Sequence, residues 1–557
     1  MNQVDSMVPT PWNKTTTLAD LPRLAAARWG DAQAVVFKDQ TETFIEQATQ
    51  IDRVARGLIA AGVGRGDRVG VWLNNCPEWI HLLFAIARIG AIQVPINTRF
   101  RTADAAHVIR QAECSTLITH DTSGPIDYWA MVDEMVPSAE RSADGKINAK
   151  DFPGLARIII KTTDASAAAP FGAANWRDLG RDPDPTLDAE LEARTAAVVP
   201  TDAAFIMYTS GTTGFPKGVV RNHLFLRNQV DRVRILGTTE LDIMYNYLPL
   251  FHIFGYLDGP MLSMATGNKQ ILVETFDPEA CLDAVEAEGV SQFSGFETHM
   301  KSLVEAQKRH ARDLSSLRIG IFGAGTNSAV PIMREGLEVL KPFRPITAYG
   351  MTEIGGNACL SFMDSNDEQI CETSGRPCDG FDFRVIDPDT GQEQPFDVSG
   401  EIVLKSYNVM TCYYKKPEET AKAYNADGWF LTGDMGYMRA DGFLRFLGRY
   451  KDMLKIGGEN VDPMEVEAYL QGHPDVAETA VIGHPDERLT EVAIAFIAPR
   501  PGRTPSEDDI LAFCRGKIAS FKIPRHIIFI SRLPMTSTGK VRKVDLREQA
   551  LTTLENI

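Results

Sequence analysis

A glycine-rich, hydroxyl-rich segment at residues 208–218 is the strongest chemical signal in this chain of 557 residues. It follows a short apolar run at residues 203–207, which predicts a buried strand. Glycine lets a backbone approach a ligand closely, successive N–H groups form an anion nest, and lysine adds a positive charge. The segment therefore predicts a loop that binds the phosphates of a nucleotide. Its candidate binding residues are Thr209, Ser210, Gly211, Thr212, Thr213, Gly214 and Lys217.

This loop differs from the common P-loop, in which a Ser or Thr follows the lysine and holds magnesium. Here Pro216 precedes Lys217 and Gly218 follows it. A kinase or ATPase that releases ADP is therefore disfavoured. A flexible turn is the structural alternative for any glycine-serine segment.

A second motif, Tyr349-Gly350-Met351-Thr352-Glu353, combines an aromatic ring, a hydroxyl and a carboxylate. The Tyr349 ring can stack on adenine, and Thr352 can donate a hydrogen bond to a phosphate. Glu353 offers the hard oxygen ligand that Mg²⁺ prefers. Without the first loop, a simple turn would be the better interpretation of these five residues.

A third motif, at residues 429–434, ends on Asp434. An aspartate on a turn can accept hydrogen bonds from both hydroxyls of a ribose, and we predict that Asp434 lies on such a turn. Arg449 can add a charge-assisted contact to ribose or phosphate. A common Gly-Asp turn without a ligand is the alternative.

Two glycine-lysine segments lie in the last hundred residues. Lys540 follows Gly539 on a predicted loop, where a solvated charge run is the alternative to a catalytic lysine. The paired glycines Gly457 and Gly458 permit close backbone approach by a narrow ligand. The structural alternative there is a strand-to-helix turn, with Asn460 or Asp462 as the helix cap.

His252 stands among aromatic residues in the segment 249–256, which predicts an apolar pocket. The alternative is a buried histidine at the end of a strand. No acidic side chain lies within this segment to hold a substrate ammonium group, although Asp258 is close. Amino acids are therefore weakly disfavoured as substrates.

The elements that must position these residues alternate between helix and strand. This alternation covers residues 53–97 and 271–349, and the chain becomes richer in strands after residue 399. Residues 136–152 and 164–202 are predicted to be surface segments. We predict an α/β fold: a large body of layered sheets with a small β-rich subdomain over residues 1–450, and a small α+β C-terminal lid over residues 451–557.

Composition limits the possible partners. The net charge is −17, with 44% hydrophobic and 24% charged residues, as in ordinary globular proteins. This charge opposes binding to nucleic acid or to an anionic membrane, but not local contacts with ATP or CoA. Eight scattered cysteines without a Cys-x-x-Cys pair, and a polar amino terminus, lead us to expect a cytoplasmic enzyme. Because dimers are the commonest oligomers of soluble proteins, a homodimer is the expected oligomer.

The order of these motifs resembles the adenylate-forming superfamily, and is most similar to its stand-alone acyl-CoA synthetases of the fatty-acid and 4-coumarate type. The resemblance covers nearly the whole chain. It implies that ATP and a carboxylic acid give acyl-AMP and pyrophosphate, and that CoA then displaces AMP. It also implies Mg²⁺ and a mobile lid.

The resemblance assigns roles by position. Lys540 would be the catalytic lysine, which stabilises charge between the carboxylate and the α-phosphate. His252 would gate the acyl pocket, and Lys451 would be the hinge of the lid. The CoA path would be lined by Gly457, Gly458 and Glu459. Further nucleotide contacts would come from Gly325, Thr326, Tyr349, Gly350, Asp434 and Arg449.

Two departures from the family pattern concern the acyl pocket. Residues 323–328 lack the proline that often follows the small residues beside adenine. Glu297 and His299 stand where many members have Val-Pro-Thr, and they either recognise a polar substituent or lie on the surface. The acid itself is not predicted.

Two other activities stay open at this stage. An adenylating enzyme that loads a carrier protein is the main one, although no carrier domain follows Lys543 in the sequence. A NAD-dependent oxidoreductase is a remote one. The dinucleotide-like segment at residues 322–325 has Ser328 in place of the third glycine.

Overall fold

The computed structural model describes residues 16–164, 166–181, 184–209, 216–323, 329–456, 459–486, 488–515, 517–535 and 541–554. Helices and strands alternate through most of this chain, which confirms the predicted α/β class.

An eight-stranded sheet organises the first part of the chain. Its parallel strands Arg68–Trp72 and Thr116–His120 are buried along almost their whole length, as expected for strands covered by helices on both faces. The strands lie in the order Cys412–Tyr413, Lys217–Asn222, Ala203–Thr209, Ile92–Pro95, Arg68–Trp72, Thr116–His120, Arg157–Lys161 and Ala174–Asn175. The accompanying helices are Leu21–Trp29, Phe44–Ala60, Pro77–Arg88, Thr102–Gln111, Tyr128–Met135 and Pro185–Ala196.

Two further sheets meet through Gln292, which forms isolated bridges to Met244 and Ile319. The four-stranded sheet has the order Ile243–Asn246, Lys269–Leu272, Gln33–Phe37 and Gln40–Thr43. The five-stranded sheet has the order Gly295–Phe296, Ile319–Gly323, Arg344–Met351, Gly356–Leu360 and Arg376–Pro377. Their helices are Leu226–Leu236, Ile253–Tyr256, Leu262–Thr266, Pro278–Glu288, Glu297–Arg309, Val330–Val339 and Asp367–Glu372.

An antiparallel sheet forms the β-rich part that the sequence predicts after residue 399. It has the order Phe381–Ile386, Gly400–Ser406, Phe430–Met438 and Leu444–Arg449, with the short helix Pro417–Lys422 beside it. Its last strand ends at Arg449, where the final section of the chain begins.

The last hundred residues form a sheet of their own. Its strands are Glu459–Val461, Leu454–Ile456, Thr490–Pro499 and Val476–Asp486, and His526–Phe529 pairs with Thr490–Pro499. The helices are Pro463–Gln471, Glu507–Cys514 and Lys543–Leu554. Two hydrophobic clusters draw all their described residues from this section. No described helix of the chain combines the length and apolar character needed to cross a bilayer.

Local sequence signals explain where several helices begin. The helices Pro77–Arg88, Pro278–Glu288 and Pro463–Gln471 each begin at a proline, which suits the first helical turn. The helix Pro185–Ala196 was missed, because its apolar pattern is weak and the segment reads as a surface excursion. Asp184 caps this helix by accepting from the Thr186 N–H at 2.9 Å.

Candidate functional site

Three parallel strands end at one edge of the five-stranded sheet, and the candidate site is built there. Phe296 pairs with Gly323 on the next strand, and Phe322 pairs with Thr347 on the strand that leads to Tyr349. Ligands in α/β proteins bind outside the carboxyl ends of such strands. Gly325 and Thr326 follow Gly323 and lie outside the described residues.

Five side chains at this edge form the Asp434 cluster. The Tyr349 hydroxyl donates to Asp434 Oδ2 at 2.7 Å, and Arg449 Nε lies 2.8 Å from Asp434 Oδ1. Asp434 is only 3% exposed, so its carboxylate is held in one orientation. The cluster consists of Tyr349, Glu353, Tyr413, Asp434 and Arg449.

The prediction that Asp434 lies on a turn was wrong. It lies within the strand Phe430–Met438 and is the register partner of Arg449. Alternation of buried and half-buried residues along this strand turns Asp434 inward. Within this strand, the preceding residue Gly433 has a φ of 68°, the left-handed conformation that is common in turns.

In the Asp434 cluster, the negative carboxylate of Asp434 lies beside the positive guanidinium of Arg449. Asp434 raises the pKa of the Arg449 guanidinium, which keeps it charged. Burial and the neighbouring Asp434 raise the pKa of the Tyr349 hydroxyl well above its ordinary value, so it remains a donor. Tyr349 therefore orients Asp434, a role that the sequence did not reveal.

Glu353 is anchored by its main chain and leaves its carboxylate at the edge of the cluster. Its carbonyl oxygen accepts from Arg221 Nη1 at 2.9 Å and from the Met410 N–H at 2.6 Å. Its Oε1 accepts from the Tyr413 hydroxyl at 3.1 Å. Thr352, directly before it, is 7% exposed.

Sequence reasoning missed Arg221 and Tyr413. Arg221 is buried within the strand Lys217–Asn222, and burial lowers the pKa of its guanidinium to about 10. The available signal was a charged residue inside an apolar strand, because buried charges need specific partners. Arg221 thereby links the strand that leaves the first loop to Glu353.

The predicted phosphate loop joins two antiparallel strands. Thr209 and Lys217 are register partners that close it, and Ser210, Gly211, Thr212, Thr213 and Gly214 lie outside the described residues. Lys217 Nζ lies 2.6 Å from Glu419 Oε2 and 5.1 Å from the centre of the Tyr413 ring. The lysine therefore lies beside the Asp434 cluster.

A second group of side chains, the His299 cluster, lies around Phe296 at the same edge. The Phe296 ring is 6.5 Å from His252, 5.3 Å from Phe254 and 5.9 Å from His299. The ring of His299 also contacts Tyr247 at 5.0 Å and Phe276 at 4.7 Å. The cluster consists of Tyr247, His252, Phe254, Phe276, Phe296 and His299.

His252 directly precedes the short helix Ile253–Tyr256 and caps it, because its Nδ1 accepts from the Phe254 N–H at 3.3 Å. Glu297 begins the helix Glu297–Arg309 and is half-buried. Asp258 is buried and forms an ion pair with the buried Arg232. Its charge is thus already compensated, and it is not available to hold an ammonium group.

The junction with the C-terminal section follows Arg449 directly. Lys451 lies in the turn Tyr450–Asp452, and Asp452 pairs with Arg547 of the last helix at 3.1 Å. Glu459 begins a strand that pairs antiparallel with Leu454–Ile456, which differs from the strand-to-helix turn considered as the structural alternative for this segment. Asp462 caps the helix Pro463–Gln471, as proposed. Gly457, Gly458 and Lys540 lie outside the described residues.

The described residues contain no group of three or more metal-ligating side chains. A single carboxylate at Glu353 fits a Mg²⁺ ion that takes its other ligands from phosphates and water.

Comparison with known proteins finds relatives that match 96% of this chain. The profile of AMP-binding enzymes matches residues 23–414, and the profile of the AMP-binding enzyme C-terminal domain matches residues 465–540. A methyl-dioxo-octahydro-indenyl propanoyl:CoA ligase of Rhodococcus jostii strain RHA1 is 35% identical over 96% of this chain and 99% of its own length. The mitochondrial medium-chain acyl-CoA ligase ACSF2 of Danio rerio is 31% identical over 96% of this chain and 88% of its own length. The ATP-bound crystal structure of MatB from Rhodopseudomonas palustris superposes with a TM-score of 0.79 at 26% identity, covering 96% of this chain and 99% of MatB.

Proposed function

Because the chain belongs to the AMP-binding enzyme family, we propose that it is an AMP-forming acyl-CoA ligase that activates an apolar carboxylic acid. The observation that carries this proposal is the orientation of Asp434 by Tyr349 and Arg449 at the carboxyl edge of the sheet. A fixed carboxylate beside a fixed guanidinium suits the two hydroxyls of a ribose.

The reaction exchanges leaving groups in two steps. A carboxylate oxygen of the acid attacks the α-phosphorus of ATP, and pyrophosphate leaves. The CoA sulfur then attacks the acyl carbon, the thiol proton is lost, and AMP leaves. The mixed anhydride is needed because a carboxylate is itself a poor electrophile.

The residues near the Asp434 cluster would hold the nucleotide. Lys217 would exchange its contact with Glu419 for the β- and γ-phosphates, together with the loop that Thr209 closes. Thr352 would donate to a phosphate, and Tyr349 and Gly350 would border the adenine. Glu353 would hold Mg²⁺, which neutralises phosphate charge when bound.

A separate lid over residues 451–557 would supply the remaining groups. Its support is that two hydrophobic clusters draw all their described residues from this section and that the junction lies directly after Arg449. Lys540 would stabilise the charge between the carboxylate and the α-phosphate. Rotation about Lys451 would then bring Gly457, Gly458 and Glu459 to the CoA path.

An apolar acid fits the aromatic side chains around Phe296, with His252 between the acyl group and the thiol. The charge of Asp258 is compensated by Arg232, which argues against amino acids. The acids named for two relatives, a medium-chain acyl group and a bicyclic propanoate, are also largely apolar. The dispersed free cysteines favour a reducing compartment, and we propose a cytoplasmic homodimer without nucleic-acid or membrane partners.

Half-reaction kinetics of Lys540→Ala test this function. We expect adenylation to fall by about 1,000-fold, because a positioned charge is lost, while CoA transfer to supplied acyl-AMP stays within about 3-fold. The matched control is Lys517→Ala, which changes an exposed lysine of the same section. Equal losses in both half-reactions would contradict the assigned role.

A further inference from the structure

One side chain of the His299 cluster has a buried hydroxyl that nothing in the described chain satisfies. Tyr247 is 3% exposed, and its hydroxyl has no hydrogen-bond partner among the described residues. Burial also raises the pKa of this hydroxyl well above its ordinary value, so it keeps its proton. Buried polar groups without a partner are rare, because leaving water costs them free energy. A ligand group is one way to supply the missing partner.

The Tyr247 hydroxyl lies directly beside the backbone of the glycine at position 295. A Cβ atom at Gly295 would lie 2.8 Å from Tyr247 Oη and 3.1 Å from His299 Cβ. Any larger residue would therefore crowd the Tyr247 hydroxyl and His299 together. Gly295 directly precedes Phe296, at the strand end where the candidate site is built.

His299 supplies a second hydrogen-bonding group, whose protonation and donor role follow from its contacts. Its Nδ1 accepts from the Phe296 N–H at 3.1 Å, so in the neutral ring the proton is on Nε2. Burial lowers the pKa of His299 to about 4, so the ring is neutral at physiological pH. Nε2–H is then an uncharged donor that has no partner among the described residues.

The surroundings of these two groups are aromatic. The Phe276 ring lies 4.5 Å from Tyr247 and 4.7 Å from His299, and the Phe296 ring lies 5.9 Å from His299. Moving a charged group into such surroundings without a counter-charge is strongly unfavourable. The cluster is thus suited to an uncharged acceptor and not to a second carboxylate.

Resting on the proposed ligase function, we propose that Tyr247 and His299 select an acid that carries an uncharged hydrogen-bond acceptor, such as a ketone oxygen, remote from its carboxylate. The Tyr247 hydroxyl and His299 Nε2–H donate to that oxygen, and the aromatic rings enclose the hydrocarbon around it. Sites built to hydrogen-bond a substrate group discriminate strongly against analogues that lack it.

Paired acids test this selectivity. Oxo-alkanoic acids with the ketone at successive carbons are compared with unsubstituted acids of the same length, by kcat/KM for acyl-CoA formation. We expect the enzyme to prefer at least one oxo acid by about 10-fold or more, and Tyr247→Phe or His299→Leu to remove most of this preference. In Tyr247→Phe, kcat/KM for the preferred oxo acid should fall more than kcat/KM for the unsubstituted acid of the same length. Tyr245→Phe, the same change on a neighbouring buried tyrosine, is the control and should keep the preference.

Thermal unfolding gives a second, independent readout. If the Tyr247 hydroxyl has no partner in the free protein, Tyr247→Phe keeps or raises the Tm, because an unsatisfied buried hydroxyl is removed. A lower Tm would mean that the hydroxyl already has a partner and would overturn the proposal. A wild-type enzyme that treats all paired acids alike, or a preference that survives Tyr247→Phe, would also overturn it. If those outcomes occur but the unsubstituted acids still give acyl-CoA, the selectivity proposal is wrong and the ligase function is retained. If no acid gives AMP, both the selectivity proposal and the ligase function are wrong.

Discussion

The Asp434 cluster and the His299 cluster lie at one edge of the five-stranded sheet, near the ends of two strands that are separated by the strand Ile319–Gly323. The hydrogen bonding of their polar groups differs. In the first, Asp434 is held by Tyr349 and Arg449 before any ligand binds. In the second, the buried hydroxyl of Tyr247 has no partner in the described chain. A preorganised cluster suits the part of the reaction that is common to every substrate, the nucleotide. An unsatisfied cluster suits the part that differs, the acid.

The largest loss of activity is expected from a substitution in the Asp434 cluster. Asp434→Ala removes the acceptor shared by Tyr349 and Arg449, and we expect kcat/KM for ATP to fall by about 100-fold, since hydrogen bonds to charged groups contribute about 1.5–3 kcal/mol each. The preference among acids should not change. Initial rates at varied ATP check this, with Asp441→Ala on the neighbouring exposed turn as the control. A comparable change in acid preference would show that the two clusters are not separate.

A smaller loss of activity is expected from a substitution that adds a methyl group beside the His299 cluster. Gly295→Ala brings a methyl group to 2.8 Å from the Tyr247 hydroxyl, so the neighbouring side chains must shift. We expect kcat/KM for ring-containing acids to fall about 10-fold relative to straight-chain acids, with KM for ATP unchanged. Gly154→Ala, at an exposed glycine where a Cβ finds only ordinary contacts, is the control. Equal losses for both kinds of acid would argue that Gly295 does not border the acyl group.

The smallest effect concerns pH. Because the pKa of His299 is lowered from 6.5 to about 4 by burial, its neutral form contributes stability that is complete above about pH 6.5 and is lost as the pH falls towards 4. Selectivity that depends on a neutral His299 should therefore change by less than about 2-fold between about pH 6 and about pH 8. Ratios of kcat/KM for the paired acids at several pH values measure this. A steep change near pH 6.5 would mean that His299 titrates at its ordinary pKa.

The same contrast explains what the sequence could predict. The candidate residues around Lys217 and Glu353 stand next to one another in the sequence, so their proposed roles could be predicted without coordinates. Asp434 was correctly grouped with Arg449 but assigned to a turn, because Gly433 suggested one. The strand pairing that makes Asp434 and Arg449 direct neighbours is a tertiary feature.

The His299 cluster could be predicted only in part. His252 and His299 were singled out by their position in motifs, but Tyr247, Phe276 and Gly295 come from separate segments that meet only in the folded chain. Nothing in the sequence indicates that the Tyr247 hydroxyl is buried without a hydrogen-bond partner in the described chain. Arg221 was missed for a related reason, since its contact with Glu353 joins residues 132 positions apart.

Product analysis tests the central claim most directly. The protein is incubated with ATP, Mg²⁺, CoA and a panel of carboxylic acids, and the nucleotide, pyrophosphate and thioester products are quantified. We expect one AMP and one pyrophosphate for each CoA consumed, with acyl-CoA formed only when an acid is present. Release of ADP, or AMP formation with an acid that proceeds without any consumption of CoA, would contradict the assignment as an acyl-CoA ligase.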